Sequence, residues 1–317
     1  MTSLISLAAK ECHVPEDWVR QTLRKGASRV ALVKVPKRGG GKYRVVSHPS
    51  SELEILQRWL LIRFFEKLEI HEMAMAFRKG RSIVTNANVH RYSKYFVRID
   101  FKDFFPSIKL SDFLNEMAKS DIGKKILHDY SDGELFIERI CFDMNLNLPI
   151  GYVTSPTISN FVMFGFDTKL EELVATKKTE FGQSIVTRYA DDIVFSTDKK
   201  GGCQNFLDEF SKLVANITVP RLQINSNKTH FTSRHAGSAI VTGLRVCPDS
   251  HITVTRKQKD AVRLLLGLYA KGILKSEDLP VLRGHLAYVR NAAPAFFSKL
   301  CLKFVNVIGD LVGEMGK

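Results

Sequence analysis

The sequence predicts an α+β protein: helices interspersed with strands of an antiparallel sheet, then a C-terminal block that is all helix. Three observations carry this. Residues 95–101 alternate, with Tyr95, Val97, Ile99 and Phe101 on one face and Phe96, Arg98 and Asp100 on the other, which is the period of a half-buried strand. Apolar β-formers, Ile185 and Val186 before and Ile193, Val194 and Phe195 after, flank a short polar break at Asp191-Asp192, which reads as a hairpin. From Arg256 onward the pattern is helical and basic, with no strand signal.

Composition narrows the possibilities. A chain of 317 residues buries a large core and is expected to form two or more subdomains. Hydrophobic residues make up 44% and charged residues 25%, which is globular rather than disordered. Lys+Arg number 47 against 33 Asp+Glu, a net charge of +14, so a polyanion is the first candidate partner. Cys12, Cys141, Cys203, Cys247 and Cys301 are widely separated, and reduced thiols in a cytoplasmic protein are expected. The first residues lack the basic and apolar regions of a signal peptide, and no apolar run approaches the ~20 residues of a membrane span.

The elements follow in order. Residues 3–25 read as two short helices, with Pro15 at a first helical position and Gly26 as a stop. Residues 29–47 read as a basic hairpin: Val30, Leu32, Val33 and Val35 on one arm, Gly39-Gly40-Gly41 at the tip, Tyr43, Val45 and Val46 on the other arm, studded by Lys34, Lys37, Arg38, Lys42 and Arg44. It could close over phosphates or be an edge hairpin guarded by lysine. Ser51 and Glu54 have capping-box spacing, and Leu53, Leu56, Leu60 and Phe64 make the buried side of the helix that follows. Arg78-Lys79-Gly80-Arg81 is a compact basic loop suited to a triphosphate or a nucleic-acid backbone. Pro106 stops the strand ending near Asp100. A helix is expected from Ser111 and another over 133–144, with Phe136, Ile137, Ile140 and Met144 buried. Ser155 and Pro156 open a helix running to about Ala175. After the hairpin come a helix marked by Phe206, Phe210, Leu213 and Val214, then β segments at Leu222–Asn225 and Ala239–Val246. In the C-terminal block Leu264, Leu265, Leu268 and Tyr269 are expected in the core.

Asp191-Asp192 at a hairpin tip is by itself an ordinary turn. Two adjacent acids are unfavourable without a cation, so a hard divalent metal is the alternative. Asp100 ends the other strand. If the two strands are neighbours in one antiparallel sheet, three carboxylates converge and could hold two metal ions for phosphoryl transfer. A metal-dependent nuclease and an RNA-binding scaffold remain open at this point.

Here the chain resembles the reverse transcriptases, and among them the bacterial retron type, over roughly residues 30–290. Tyr189-Ala190-Asp191-Asp192 matches the Tyr-x-Asp-Asp box, and Ile99 to Ser107 matches the box carrying the first catalytic aspartate. Leu148-Pro149-Ile150-Gly151 with Ser155-Pro156 and Ser159-Asn160 resembles the Leu-Pro-Gln-Gly…Ser-Pro…Ser-Asn box, with Ile150 in place of the usual Gln. Asn225 to Thr229 resembles the next box, and Val241-Thr242-Gly243-Leu244 the primer-grip region. Asn86-Ala87-Asn88-Val89-His90 matches the retron Asn-Ala-x-x-His insertion, and Val241-Thr242-Gly243 the retron Val-Thr-Gly triplet.

The resemblance implies a right-hand polymerase. Residues 1–28 would be an N-terminal helical extension and 29–95 the fingers. Residues 96–246 would be an antiparallel-sheet palm with finger-like helices at 111–147, and 247–317 a helical thumb with no nuclease domain after it. It implies catalysis and metal binding by Asp100, Asp191 and Asp192, with two Mg²⁺ ions or Mn²⁺ in their place. Phe105 falls at the steric gate. Ile150, Gly151, Arg78, Lys79, Arg81 and Lys228 are the expected nucleotide contacts, while Asp103 is expected to be structural. Asn86, Ala87, His90, Val241, Thr242 and Gly243 are the expected RNA contacts, His90 being equally readable as a hydrogen-bonded surface or core histidine. The implied partners are a cognate structured non-coding RNA serving as template and primer, dNTPs, the DNA product and an accessory effector protein. The implied role is antiphage defence.

Overall fold

In a computed structural model the chain is described over residues 3–36, 41 and 43–313. Lys37, Arg38 and Lys42 of the basic hairpin and the Gly39-Gly40 part of its expected tip lie outside the described residues. The elements are α1 (Leu4–Glu11), α2 (Glu16–Lys25), β1 (Ala31–Pro36), β2 (Tyr43–His48), α3 (Ser51–Arg63), α4 (Ile83–Val89), β3 (Tyr95–Asp100), α5 (Phe104–Ser107) and α6 (Leu110–Met117). There follow α7 (Asp121–Asp129), α8 (Gly133–Cys141), α9 (Ser155–Val162), α10 (Phe164–Thr176), α11 (Lys178–Phe181), β4 (Ser184–Tyr189), β5 (Asp192–Thr197) and α12 (Gly202–Asn216). The chain continues through β6 (His230–Ser233), β7 (Ala239–Val241), β8 (Leu244–Val246), β9 (Ile252–Val254), α13 (Arg256–Ala270), α14 (Leu279–Ala292), α15 (Pro294–Lys303) and α16 (Val305–Gly313).

These elements fall into two units, and the division lies inside β3, after Arg98. The first unit comprises Met1–Phe77, Ile99–Thr176 and Asp208–Lys228. Helix α1 opens there with Ser3 accepting from the Ile5 and Ser6 amides, while the distant Asp132 carboxylate accepts from Leu4 N at 2.6 Å and Ile5 N at 3.1 Å. A carboxylate at a helix N-terminus meets both the free amides and the dipole. Aromatic rings fill the interior: Phe113 packs on Phe65, Phe142 and Phe161, and Phe101 on Phe166 and Phe210. The β1–β2 hairpin is antiparallel from Ala31↔His48 to Pro36↔Tyr43, and every β1 side chain is exposed.

The second unit comprises Arg78–Arg98, Lys177–Leu207 and Thr229–Lys317. It carries a four-stranded sheet in the order β4-β5-β3-β6. A second sheet, β7-β8-β9, shares one core with the helical block. Val241, Leu244, Val246 and Val254 from its strands meet Val262, Leu266, Leu282, Leu286 and Val289 from the helices, all fully buried. No helix among the described residues is long and apolar enough to cross a membrane.

Several local expectations are corrected. The cap of α3 is Ser50, which accepts from Leu53 N; Glu54 instead pairs with Arg58 at 2.6 Å. Helix α8 ends at Cys141, so Met144 lies beyond it and is 78% exposed. The helix from Ser155 breaks at Met163 into α9 and α10. Leu222–Asn225 forms only an isolated bridge, Phe101↔Ile224. In α13 Leu264 is 63% exposed and Leu266 is fully buried in its place, while Leu265 and Tyr269 pack partly buried against the core. The sequence reading did not anticipate α4, α7, β6 or β9.

Candidate active site

The hairpin carrying the paired acids is as tight as its polar break suggested. Tyr189 pairs with Asp192, so Ala190 and Asp191 are the two residues of the turn. Ala190 takes a left-handed φ of 56°. Beneath the turn the buried guanidinium of Arg188 donates to the Ala190 carbonyl at 3.4 Å. Strand β3 lies next to β5 and runs against it: Lys94 N donates to Thr197 O at 2.9 Å at one end, and Arg98 Nε approaches Asp192 Oδ1 at 4.0 Å at the other. Two residues beyond Arg98, β3 ends at Asp100.

Asp100 is 6% exposed and fully engaged. Lys228 Nζ donates to both carboxylate oxygens, at 2.8 and 2.9 Å, and Asn225 Nδ2 donates to Oδ1 at 3.0 Å. The Asn225 amide also donates to the Asp100 carbonyl at 2.8 Å. The Asn225–Lys228 segment therefore wraps back onto the end of β3. Sequence reading assigned Lys228 to a nucleotide phosphate; its partner in the resting chain is an aspartate, and nothing in the spacing could reveal that. Asp103 has a left-handed φ of 42° and its backbone carbonyl accepts from Ser107 Oγ. Phe105 is half-buried, with its ring against Phe104 and Phe77 at centroid distances of 5.4 and 6.4 Å.

The loop through Ile150 and Gly151 is braced by β2. Ser47 N donates to the Ile150 carbonyl at 2.7 Å, and Gly151 has φ 111°. A Cβ on Gly151 would lie 2.4 Å from the Ser47 carbonyl oxygen, so no side chain fits. Three other residues of this box are interior supports: Ser155 Oγ donates to Pro149 O, Ser159 Oγ to Pro156 O, and Asn160 Nδ2 to Ala76 O.

The second unit holds the remaining candidates. Lys79 and Arg81 are exposed and Arg78 half-buried, on a turn where Gly80 has φ 77°. Ser82 and Thr85 form a capping box that starts α4. The α4 residues Asn86 and Ala87, and His90 at its C-cap, are completely buried, so these side chains support the surface rather than form it. His90 bonds Ser196 at 2.7 Å through Nδ1 and Thr187 at 2.8 Å through Nε2. Burial holds its pKa down at about 3, so the ring is neutral. It thereby ties the end of α4 to both β4 and β5, the arms of the Asp191-Asp192 hairpin. Val241-Thr242-Gly243-Leu244 is the β7–β8 hairpin: Val241 pairs with Leu244, and Thr242 and Gly243 have φ of 46° and 82°. Thr242 is β-branched and strained there, and its Oγ1 donates to the Ile83 carbonyl at 3.2 Å, binding the turn to the start of α4.

Chemically, Asp100 on the first unit and Asp191 and Asp192 on the second offer hard oxygen donors. That donor set is the one a divalent hard metal prefers.

Comparison with known proteins gives the family. Residues 35–266 match the family Reverse transcriptase (RNA-dependent DNA polymerase). The chain is 44% identical over 279 residues to the Retron Ec73 reverse transcriptase of Escherichia coli, covering 86% of each protein. It is 27% identical over 286 residues to the Retron Ec83 reverse transcriptase of the same species, covering 88% of each. Among solved structures, a telomerase from Candida albicans in complex with a fragment of telomeric RNA matches with a TM-score of 0.52 at 11% identity. That match covers 93% of this chain and 62% of the telomerase chain, and it shows the polymerase fold alone. The chain belongs to the reverse transcriptases, RNA-directed DNA polymerases of right-hand fold, and within them to the retron type.

Proposed function

We propose that this enzyme copies its own structured non-coding RNA into a branched RNA–DNA product, priming from a 2′-hydroxyl of that RNA, and that it acts in the cytoplasm with an effector protein in antiphage defence. The observation that carries the catalytic part of this reading is the state of Asp100. A nearly buried carboxylate with both oxygens on an ammonium is a site for positive charge at the end of the strand beside β5, whose first residue is Asp192. The retron part rests on the Ec73 and Ec83 relatives and on the two retron motifs, Thr242 of the second bonding Ile83 at the start of the helix that carries the first.

In this reading Asp100, Asp191 and Asp192 hold two Mg²⁺ ions, or Mn²⁺ in their place. The metal, when bound, supplies acidity for the attacking hydroxyl and neutralises the leaving pyrophosphate. The chain's own residues do the rest. Lys228 leaves Asp100 and turns its ammonium to the triphosphate, which its exposure allows. Phe105 presents a ring edge where a ribose 2′-hydroxyl would lie, favouring deoxynucleotides. Ile150 and Gly151 shape the floor under the incoming nucleotide, Ile150 packing without an amide to donate. Arg78, Lys79 and Arg81 meet phosphate. Thr242 and Gly243 present the RNA-facing turn, and Asn86, Ala87 and His90 support it from within. We read residues 29–95 as fingers, 96–246 as palm and 247–317 as thumb.

Primer extension tests the reading. The wild-type chain, given primed RNA, dNTPs and Mg²⁺, should extend the primer, and with its cognate RNA should give a product carrying a 2′,5′ branch. The pair Asp191→Asn and Asp192→Asn should keep RNA binding and lose synthesis. Hydrolysis of RNA without dNTP incorporation would replace the polymerase reading with a nuclease.

A further inference from the structure

The five residues joining β8 to β9 are Cys247-Pro248-Asp249-Ser250-His251, and they place a thiol, a carboxylate and an imidazole at alternate positions of one turn. One donor atom from each lies within 4.8 Å of the other two. We propose that this turn binds a borderline d-block cation of the zinc class, at a site separate in residues and in chemistry from the three aspartates.

The frame is rigid where the ligands need it. Val246 pairs with Ile252, Cys247 N donates to His251 O at 3.0 Å, and Ser250 N donates to Cys247 O at 2.9 Å. First and fifth residues therefore face each other across the ladder while the third caps it. Arg234 donates to Ser250 Oγ from one side and to the Arg91 carbonyl at 2.7 Å from the other, fixing the tip. Val246 and Val254 anchor the strands in the core. Asp249 Oδ1 already bonds His251 Nδ1 at 2.6 Å, and Cys247 is buried, 6% exposed. The side chains of Asp249 and His251 remain open to solvent, which gives an ion its entry and leaves a coordination position for water.

The donor set decides the ion. Mg²⁺ and Ca²⁺ take oxygen ligands and leave a thiolate unused, whereas one sulfur, one nitrogen and one oxygen suit four-coordinate Zn²⁺ with water as the fourth ligand. Thiolate is the ligating form. The turn lies at the entrance to the helical block, since β9 is followed directly by α13. A bound ion would cross-link the ends of β8 and β9 and stiffen that entrance.

Cobalt spectroscopy tests this in the full-length chain carrying Asp191→Asn and Asp192→Asn, so that the catalytic carboxylates do not contribute. Titrating the metal-stripped protein with Co²⁺ should produce one equivalent of thiolate-to-cobalt charge transfer with the d–d bands of a four-coordinate site, and Zn²⁺ should abolish both. His251→Ala changes an exposed side chain, leaves the core untouched and should weaken Co²⁺ binding by at least about tenfold. Cys247→Ser should remove the charge-transfer band. Cobalt bands without charge transfer would overturn the proposal. So would a band that survives Cys247→Ser and disappears on replacing Cys12 or Cys301, or cobalt affinity unchanged in His251→Ala.

Discussion

At the residue scale the informative side chain is Lys228. Its ammonium sits where positive charge is needed on Asp100, and the carboxylate keeps only 8% of its side-chain surface in water. A hydrogen-bonded ion pair of this kind is short and strong, and removing one partner leaves the other charge poorly solvated. Lys228→Ala should therefore raise the affinity of the resting protein for Mn²⁺, read by electron paramagnetic resonance, because the ion no longer competes with a lysine. The same variant should raise KM for dNTPs in primer extension. Unchanged Mn²⁺ affinity would mean that Lys228 is not a stand-in for the cation. Phe105 supplies a second test. Phe105→Ala should raise ribonucleotide incorporation relative to deoxynucleotide by about 10–100-fold, the range a lost steric contact in a pocket commonly gives. Single-turnover incorporation of the two sugars measures it.

At the scale of elements, the Asp191-Asp192 hairpin depends on its contact with α4. His90 joins Thr187 and Ser196 across the two arms while neutral and fully buried. An unfolded histidine titrates near 6.5, and the folded ring is held at about 3. The unfolded chain therefore binds the extra proton between these values, so stability is complete above about pH 6.5 and falls as the pH drops toward 3, by up to a few kcal/mol. His90→Gln should flatten that part of the pH–stability curve, measured by urea unfolding from pH 7 to 4, while lowering stability at pH 7. The elements also mark how much was legible in the sequence. The β3 alternation, the β4–β5 hairpin and the helices beginning at Ser155 and Arg256 could be read because period and turn residues are local signals. The strand β6 could not, since His230-Phe231-Thr232-Ser233 has no alternation of its own and is a strand because Tyr95 to Arg98 pair with it. Asp100, Asp191 and Asp192 could be picked out by motif, but the Lys228 and Asn225 clamp on Asp100 spans more than a hundred residues of sequence and leaves no spacing to recognise. His90 could be named and not placed: a histidine in a polar helix reads the same whether it faces RNA or two buried hydroxyls.

At the scale of the whole molecule, the charge of +14 sets how the enzyme meets its template. Association of a basic protein with RNA releases counterions, so the logarithm of the affinity falls linearly with the logarithm of salt concentration, with a slope of about −0.7 per phosphate neutralised on a single strand. The basic surface in question includes the exposed Lys79 and Arg81 and the β1–β2 hairpin, whose β1 side chains, including Lys34, all face solvent. Each residue that meets phosphate should contribute separately to that slope, whereas a residue that only solvates the surface should not. Lys79→Ala and Arg81→Ala should each make the slope shallower by about 1 and weaken binding across all RNA sequences alike. Thr242 provides the contrast. It carries no charge and stands on a turn strained at φ 46°, so Thr242→Ala should leave the slope unchanged and reduce the preference for the cognate RNA over an unrelated one. Fluorescence anisotropy with both RNAs across a salt series separates the two classes. A slope that changes with Thr242, or is unmoved by Lys79 and Arg81, would mean that charge and recognition are distributed otherwise than the basic loop and the β7–β8 turn indicate.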